Sequence, residues 1–214
     1  MLSQFYHKRF TIFLASFLLL LFGNLLVPKE FDDEVKAVLL LQNIVCSLIL
    51  FVRQSKRTKL LVYLVVFSSI VIELVNLFGG DGSLLFAFVY LIYFVLISYR
   101  LFDDLKKQRV VGIEMVSAAF CGFILLGVVS SIIFLSIDAS MDAFSGAIEN
   151  REFPDFLYFS FITLLTIGYG DIVPANELSQ KLVIILGLIG HFYTVFVMAI
   201  VIGKYLSAHK PKGD

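Results

Sequence analysis

The sequence has no tryptophan, only two cysteines and three histidines in 214 residues, and its charges cancel, 17 Lys and Arg against 17 Asp and Glu. Cys46 and Cys121 lie in the middle of apolar runs, where a thiol acts as a small hydrophobe, so no disulfide framework is implied. His7, His191 and His209 are scattered along the chain, and no glycine loop suited to cradling phosphate is present, so neither an enzyme nor a cofactor is expected. With zero net charge, no nucleic-acid partner is expected either. Nothing after Tyr205 is long enough for a soluble ligand-binding domain, and a compact chain with such short tails reads as prokaryotic.

Apolar residues are what the chain has in excess: 59% of it, with a mean hydropathy of +0.94, against roughly 45 to 50% in an ordinary soluble domain. A bilayer-crossing helix needs about 20 mostly apolar residues. Six runs approach that length: Phe10–Val27, Ala37–Val52, Leu60–Phe78, Leu84–Tyr99, Met115–Ile137 and Leu182–Tyr205. The second and fourth, about 16 residues each, must borrow flanking polar residues or cross where the bilayer is thin. A signal peptide is the other reading of the first run, but Phe22 to Pro28 offers no clear small-x-small cleavage site. The expected class is therefore an all-α membrane protein with six transmembrane helices.

Orientation follows from the basic residues, because Lys and Arg are retained on the cytoplasmic side. All but four of the 17, namely Lys29, Lys36, Arg151 and Lys181, fall on one side of the alternating connectors. Both termini are thus expected to be cytoplasmic in a multi-pass protein of the cell membrane. The opposite side carries twelve acidic residues, Asp138, Asp142, Glu152, Asp155, Asp171 and Glu177 among them. They read either as a field that concentrates cations or simply as solvated loops.

The connector between the fifth and sixth runs differs from the others. It holds Phe153 to Leu165, too apolar for a free loop and too short to span, which suits a re-entrant helix. Pro154 fits its first turn, and Asp155 complements its positive end. At its close stands Thr163-Leu164-Leu165-Thr166-Ile167-Gly168-Tyr169-Gly170-Asp171, followed by Pro174. From Pro154 through the sixth run this resembles the potassium channels, whose signature combines such a string with a re-entrant helix between two spans. Four copies of an extended strand can replace the hydration shell of K+ with backbone carbonyls, and Gly168 and Gly170 admit backbone conformations that other residues resist.

The resemblance implies that Thr166, Ile167, Gly168, Tyr169 and Gly170 form a K+-binding selectivity filter, with Ile167 and Tyr169 turned outward as wedges and Asp171 as an outer acidic ring. It implies a homotetramer in the lipid bilayer, because one filter strand per chain closes into a ring only by rotation. Gly190 falls where many members have a hinge glycine; helix packing is its other reading. His191 beside it either faces the inner cavity, where protonation would oppose cations, or packs between helices. Two departures matter. Some bacterial members keep a glutamate behind the filter where this chain has Ile162, and many brace the filter with tryptophans where this chain has Tyr158 and Phe159. A weakly selective cation channel and a non-conducting regulatory subunit therefore remain alternatives.

Six spans with the pore in the last two look like the voltage-gated architecture, but the fourth run meets its first cation only at Arg100. Moving one charge through 100 mV is worth about 2.3 kcal/mol, so a sensor needs several; none is expected here. Glu73 lies about 9 Å from the outer end of the third run, at the depth of Gln42 and Asn43. It is either a pH-responsive group or part of a polar cluster that fixes packing. The expected organisation is a peripheral domain over 1–99, an amphipathic linker over 100–113, a pore domain over 114–206 and a tail over 207–214.

Overall fold

The computed structural model describes residues 8–26, 32–52, 54, 56–77, 83–107, 112–146 and 151–208. Seven α-helices and two short strands appear among them: α1 Arg9–Phe22, α2 Asp32–Phe51, α3 Lys56–Leu77, α4 Ser83–Lys107, α5 Ile113–Met141, β1 Phe144–Gly146, α6 Phe153–Leu164, β2 Ile172–Pro174 and α7 Glu177–Ala208. A 3-10 turn, Gly23–Leu26, prolongs α1. Over their described residues the six apolar runs are helical, up to a turn at Val52. The second lengthens by taking in polar residues at its start, beginning at Asp32, because a helix carried through charged residues loses none of its own hydrogen bonds. Among the described residues, two segments, Ile113–Met141 and Glu177–Val197, are long and apolar enough to cross a membrane by length and composition.

Helix α4 runs on to Lys107. The first half of the segment expected to be a separate linker is therefore a continuation of the fourth helix, stapled by Arg100 to Asp103 across 3.1 Å, one turn on. The rest of that linker, up to residue 111, lies outside the described residues.

The chain divides into two compact units, Met1–Gly122 with Gly203–Asp214, and Phe123–Ile202. In the first, rings fill the space between helices: Phe13 meets Phe17 at 4.6 Å between centroids, and Phe94 lies 6.3 Å from Phe17 and 4.9 Å from Tyr93. Asn43 Nδ2 donates to Ser16 Oγ across 3.0 Å, a polar tie inside an apolar interior that would otherwise leave this donor unpaired. Arg100 is buried, and its Nε donates to the Leu50 carbonyl, 3.3 Å away in the last turn of α2, where the helix end is negative.

Helix α1 has no cap of its own: Lys8 stands at the cap position without a side-chain bond. Glu114 of α5 supplies one, accepting from the backbone N–H of Phe10 at 2.9 Å and of Thr11 at 3.3 Å, and from the Thr11 hydroxyl. A carboxylate placed there satisfies orphan donors and complements the positive helix end.

The second unit is built around an aromatic cluster. Phe144 is nearly fully buried and meets Phe134, Phe156 and Phe159 edge to face at 5.3, 5.2 and 5.4 Å, the arrangement ring quadrupoles prefer. Ile162, Leu164, Ile172 and Leu186 close the same core. Gly127 lets α5 and α6 meet, since a Cβ there would lie 2.7 Å from Phe161 Cζ. Strands β1 and β2 pair antiparallel, with Phe144 opposite Pro174, Ser145 opposite Val173 and Gly146 opposite Ile172.

Candidate functional site

Helix α6 begins where Pro154 and Asp155 lead one to expect. Glu152 is its cap residue, and a reciprocal capping box joins it to Asp155, whose Oδ2 accepts from the Glu152 N–H at 2.8 Å. Pro154 sits in the first turn, where no N–H is needed. At the other end the chain folds back under the helix. Leu165 N–H donates to the Phe161 carbonyl at 2.9 Å, Thr166 to Thr163 at 3.0 Å, and both Ile167 and Gly168 to Ile162, at 2.8 and 3.2 Å. Four consecutive N–H groups are thus spent on carbonyls that the helix end leaves free.

Beyond this anchor the backbone alternates. Thr166, Gly168 and Gly170 have φ of 58°, 58° and 78°, while Ile167 and Tyr169 between them do not enter the left-handed region. In a β-strand successive carbonyls point to opposite sides. Reversing the sense of φ at every second residue turns alternate peptides over, so that N–H groups gather on one side and carbonyls on the other. Gly168 and Gly170 adopt this conformation without penalty, whereas Thr166 adopts it at a cost of about 1–2 kcal/mol.

The outward residues do not wedge against this chain's own helices. Tyr169 is 71% exposed and Ile167 49%. An open hollow of about 310 Å³, lined by Phe159, Ile162, Thr166, Ile172 and Val183 among others, lies alongside. Hydrogen bonding with the carboxylate of Asp171 first, then desolvation and the charge of that carboxylate, push the Tyr158 phenol up to about 12. It therefore remains a donor at neutral pH. This is a polar contact that sequence comparison with tryptophan-braced channels leaves out.

Gly190 is buried in an unbroken α7. A Cβ there would lie 2.4 Å from Leu164 Cδ2, so the glycine allows α7 to touch the last turn of α6. His191 is exposed on the single chain. The side chain of Glu73 lies outside the described residues; of its expected partners, Asn43 is tied to Ser16, and Gln42 donates to Cys46 Sγ at 3.4 Å.

Residues that counted only as charges in the sequence turn out to be paired. Arg151 grips Asp138 with two nitrogens, Nε at 3.0 Å and Nη2 at 3.3 Å, and Nη2 also reaches Asp142 at 3.1 Å and the Phe144 carbonyl at 2.6 Å. These acceptors, Asp138 first, raise the guanidinium above its ordinary value. Lys181 pairs with Glu177 one turn away. The acidic set flanking the candidate filter is thus partly neutralised at its own residues. A separation of 13 positions between Asp138 and Arg151 carries no periodic signal by which a sequence could announce the pair.

Residues 120–207 match the family model described as "Ion channel". Two-pore potassium channel 4 of Arabidopsis thaliana is 39% identical over 66 residues, 31% of this chain and 23% of that protein. Two pore potassium channel a of Oryza sativa subsp. japonica is 35% identical over 79 residues, 37% of this chain and 21% of that protein. The chain thus spans less than a quarter of the length of these curated relatives. No solved structure matches. The segment that carries α5, α6, the alternating strand and α7 is accordingly similar to ion channels, and its curated relatives are potassium channels.

Proposed function

We propose that this chain is one subunit of a homotetrameric, potassium-selective channel of the plasma membrane, with six membrane-crossing helices, a re-entrant α6 and cytoplasmic termini. The observation that carries this reading is the alternation of left-handed backbone at Thr166, Gly168 and Gly170, directly after an anchored helix end. Four such strands around an axis would line a passage with the carbonyls of Thr166, Ile167, Gly168, Tyr169 and Gly170, replacing the water that K+ gives up. The α6 C-terminus, negative by its dipole, would favour a cation at the inner end, and Asp171 would form an acidic ring at the outer one. No cofactor is needed beyond the permeant ions.

The exposed rings support the tetramer. A phenol left 71% exposed beside a hollow lined by the same chain suits a head-to-tail arrangement in which each copy fills its neighbour, and such an interface closes into a ring. The apolar face of α7, with Leu188, Phe192 and Phe196 exposed, is too extensive for water and suits lipid and neighbouring subunits. Voltage gating of the usual kind is not part of the proposal. Arg100, the first cation of α4, is held by the end of α2 and by Asp103, and a single fixed charge supplies little gating energy.

The test is the reversal potential of the purified protein in planar bilayers with K+ on one side and Na+ on the other. Reversal near the K+ equilibrium value, weakly dependent on voltage, is expected. Reversal near zero would mean a weakly selective cation pore, and electrical silence would favour a regulatory subunit.

A further inference from the structure

We propose that Arg151 and strand β1 brace the outer end of the filter, making Arg151 a positioning residue for ion selection. The inference rests on reading Thr166–Asp171 as the filter. Its basis is a continuous set of contacts running from the end of α5 to residue 171. Asp138, near the close of α5, and Arg151, just before α6, are each only 10% exposed in their side chains. Asp138 Oδ1 accepts from the Phe144 N–H at 2.9 Å, and Arg151 Nη2 donates to the Phe144 carbonyl at 2.6 Å. Both backbone polar groups of Phe144 are thus committed to one charge-assisted clamp, the stronger kind of hydrogen bond.

Phe144 opens β1, and β1 pairs with β2, the first residues after Asp171. Ala175 N–H extends the ribbon, donating to the Ala143 carbonyl at 2.9 Å. At its far end the ribbon lies flush against the filter. A Cβ built on Gly146 would fall 2.0 Å from the Asp171 carbonyl oxygen and 3.1 Å from Ile172 Cα, and its φ of 150° also disfavours a side chain. Backbone thus meets backbone, with no flexible side chain between to absorb a shift. Any lateral movement of residue 171 has to displace β1, and β1 is fastened to Asp138 both directly and through Arg151. The ribbon thus restrains the main chain of residue 171 itself.

Wild type, R151A, R151K and G146A are compared in lipid by hydrogen exchange at the amides of Ile172, Val173 and Ala175, Pro174 having none, and by K+/Na+ reversal potential. Loss of the clamp in R151A is expected to speed exchange at these amides about tenfold, the scale of a charge-assisted bond, and to move the reversal potential toward zero. R151K, which keeps the charge but loses the fork, is expected to fall between R151A and wild type in both readouts. G146A is expected to shift selectivity although the clamp is intact.

If R151A lowers the thermal midpoint but leaves exchange and reversal as in wild type, Arg151 only staples the fold and the proposal is overturned. Should R151A not assemble, wild-type values in both R151K and G146A overturn it equally. If wild type itself fails to distinguish K+ from Na+, the filter reading falls alone; faster exchange in R151A then still supports the clamp, and unchanged exchange still rejects it.

Discussion

Replacing Gly190 by alanine distinguishes a hinge from a contact point. The added carbon would stand 2.4 Å from Leu164 Cδ2, 3.7 Å from its Cγ and 3.8 Å from its Cα, where carbons rest comfortably at about 3.5–4.0 Å. The Leu164 tip must therefore retreat by more than about 1 Å, and it is buried in the core formed with Phe159, Ile162 and Leu186. Overpacking of that kind costs about 1–3 kcal/mol. Against it stands the gain of about 1 kcal/mol that alanine brings to a helix interior, so the net expectation is destabilisation of up to about 2 kcal/mol. The assay is thermal denaturation of the solubilised protein, completed as a double-mutant cycle with L164A. Alone, L164A should cost about 2–5 kcal/mol; in the G190A background it should cost about 1–3 kcal/mol less, because the removed side chain is the one in collision. Additivity within about 0.5 kcal/mol, or a raised midpoint for G190A, would refute the packing argument. An unchanged midpoint with an altered open probability would make Gly190 a hinge.

F144A should be among the most damaging single changes in the second unit, lowering stability by about 3–5 kcal/mol, because it removes the ring that three others meet edge to face; a midpoint shift no larger than that of a surface variant would contradict this. For Tyr158, a phenol raised from its ordinary value to about 12 contributes stability that is present below pH 10 and is lost as pH rises through 12. Stability should thus be insensitive to Tyr158 between pH 7 and 10, and Y158F should flatten the loss between pH 10 and 12; identical pH profiles of the thermal midpoint in the two proteins would show the hydroxyl to be idle. E114Q should weaken the cap on α1 by about 1 kcal/mol, measured as faster amide exchange at Phe10 and Thr11 with no change over residues 172–175.

What could be read from the sequence was local. Pro154, Asp155 and the following apolar stretch specify α6 within a residue at its end, and Gly168 and Gly170 announce a backbone of unusual sense, because each acts on its own turn of chain. The β1–β2 ribbon was invisible. Phe144-Ser145-Gly146 is too short to show a two-residue alternation, and its partner lies beyond a whole helix, so only the folded core brings them together. The same distance hid Arg151 and Asp138, which as bare charges read as a diffuse field or as solvated loops when they form a clamp. The residues after Arg100 read as an amphipathic helix in their own right; that they continue α4 to Lys107 did not show, because charges at the end of an apolar run look like a break although, spaced at i and i+3, they support a helix.

The alternation at Thr166, Gly168 and Gly170 also gives this stretch a parity. Because left-handed positions recur every second residue, the insertion or deletion of one residue between Leu165 and Asp171 would hand the left-handed role to Ile167 or Tyr169, whose branched or bulky side chains resist it. A change of two residues leaves the phase intact. Functional length variants of this loop should therefore differ from it by even numbers, a counting rule imposed by handedness alone.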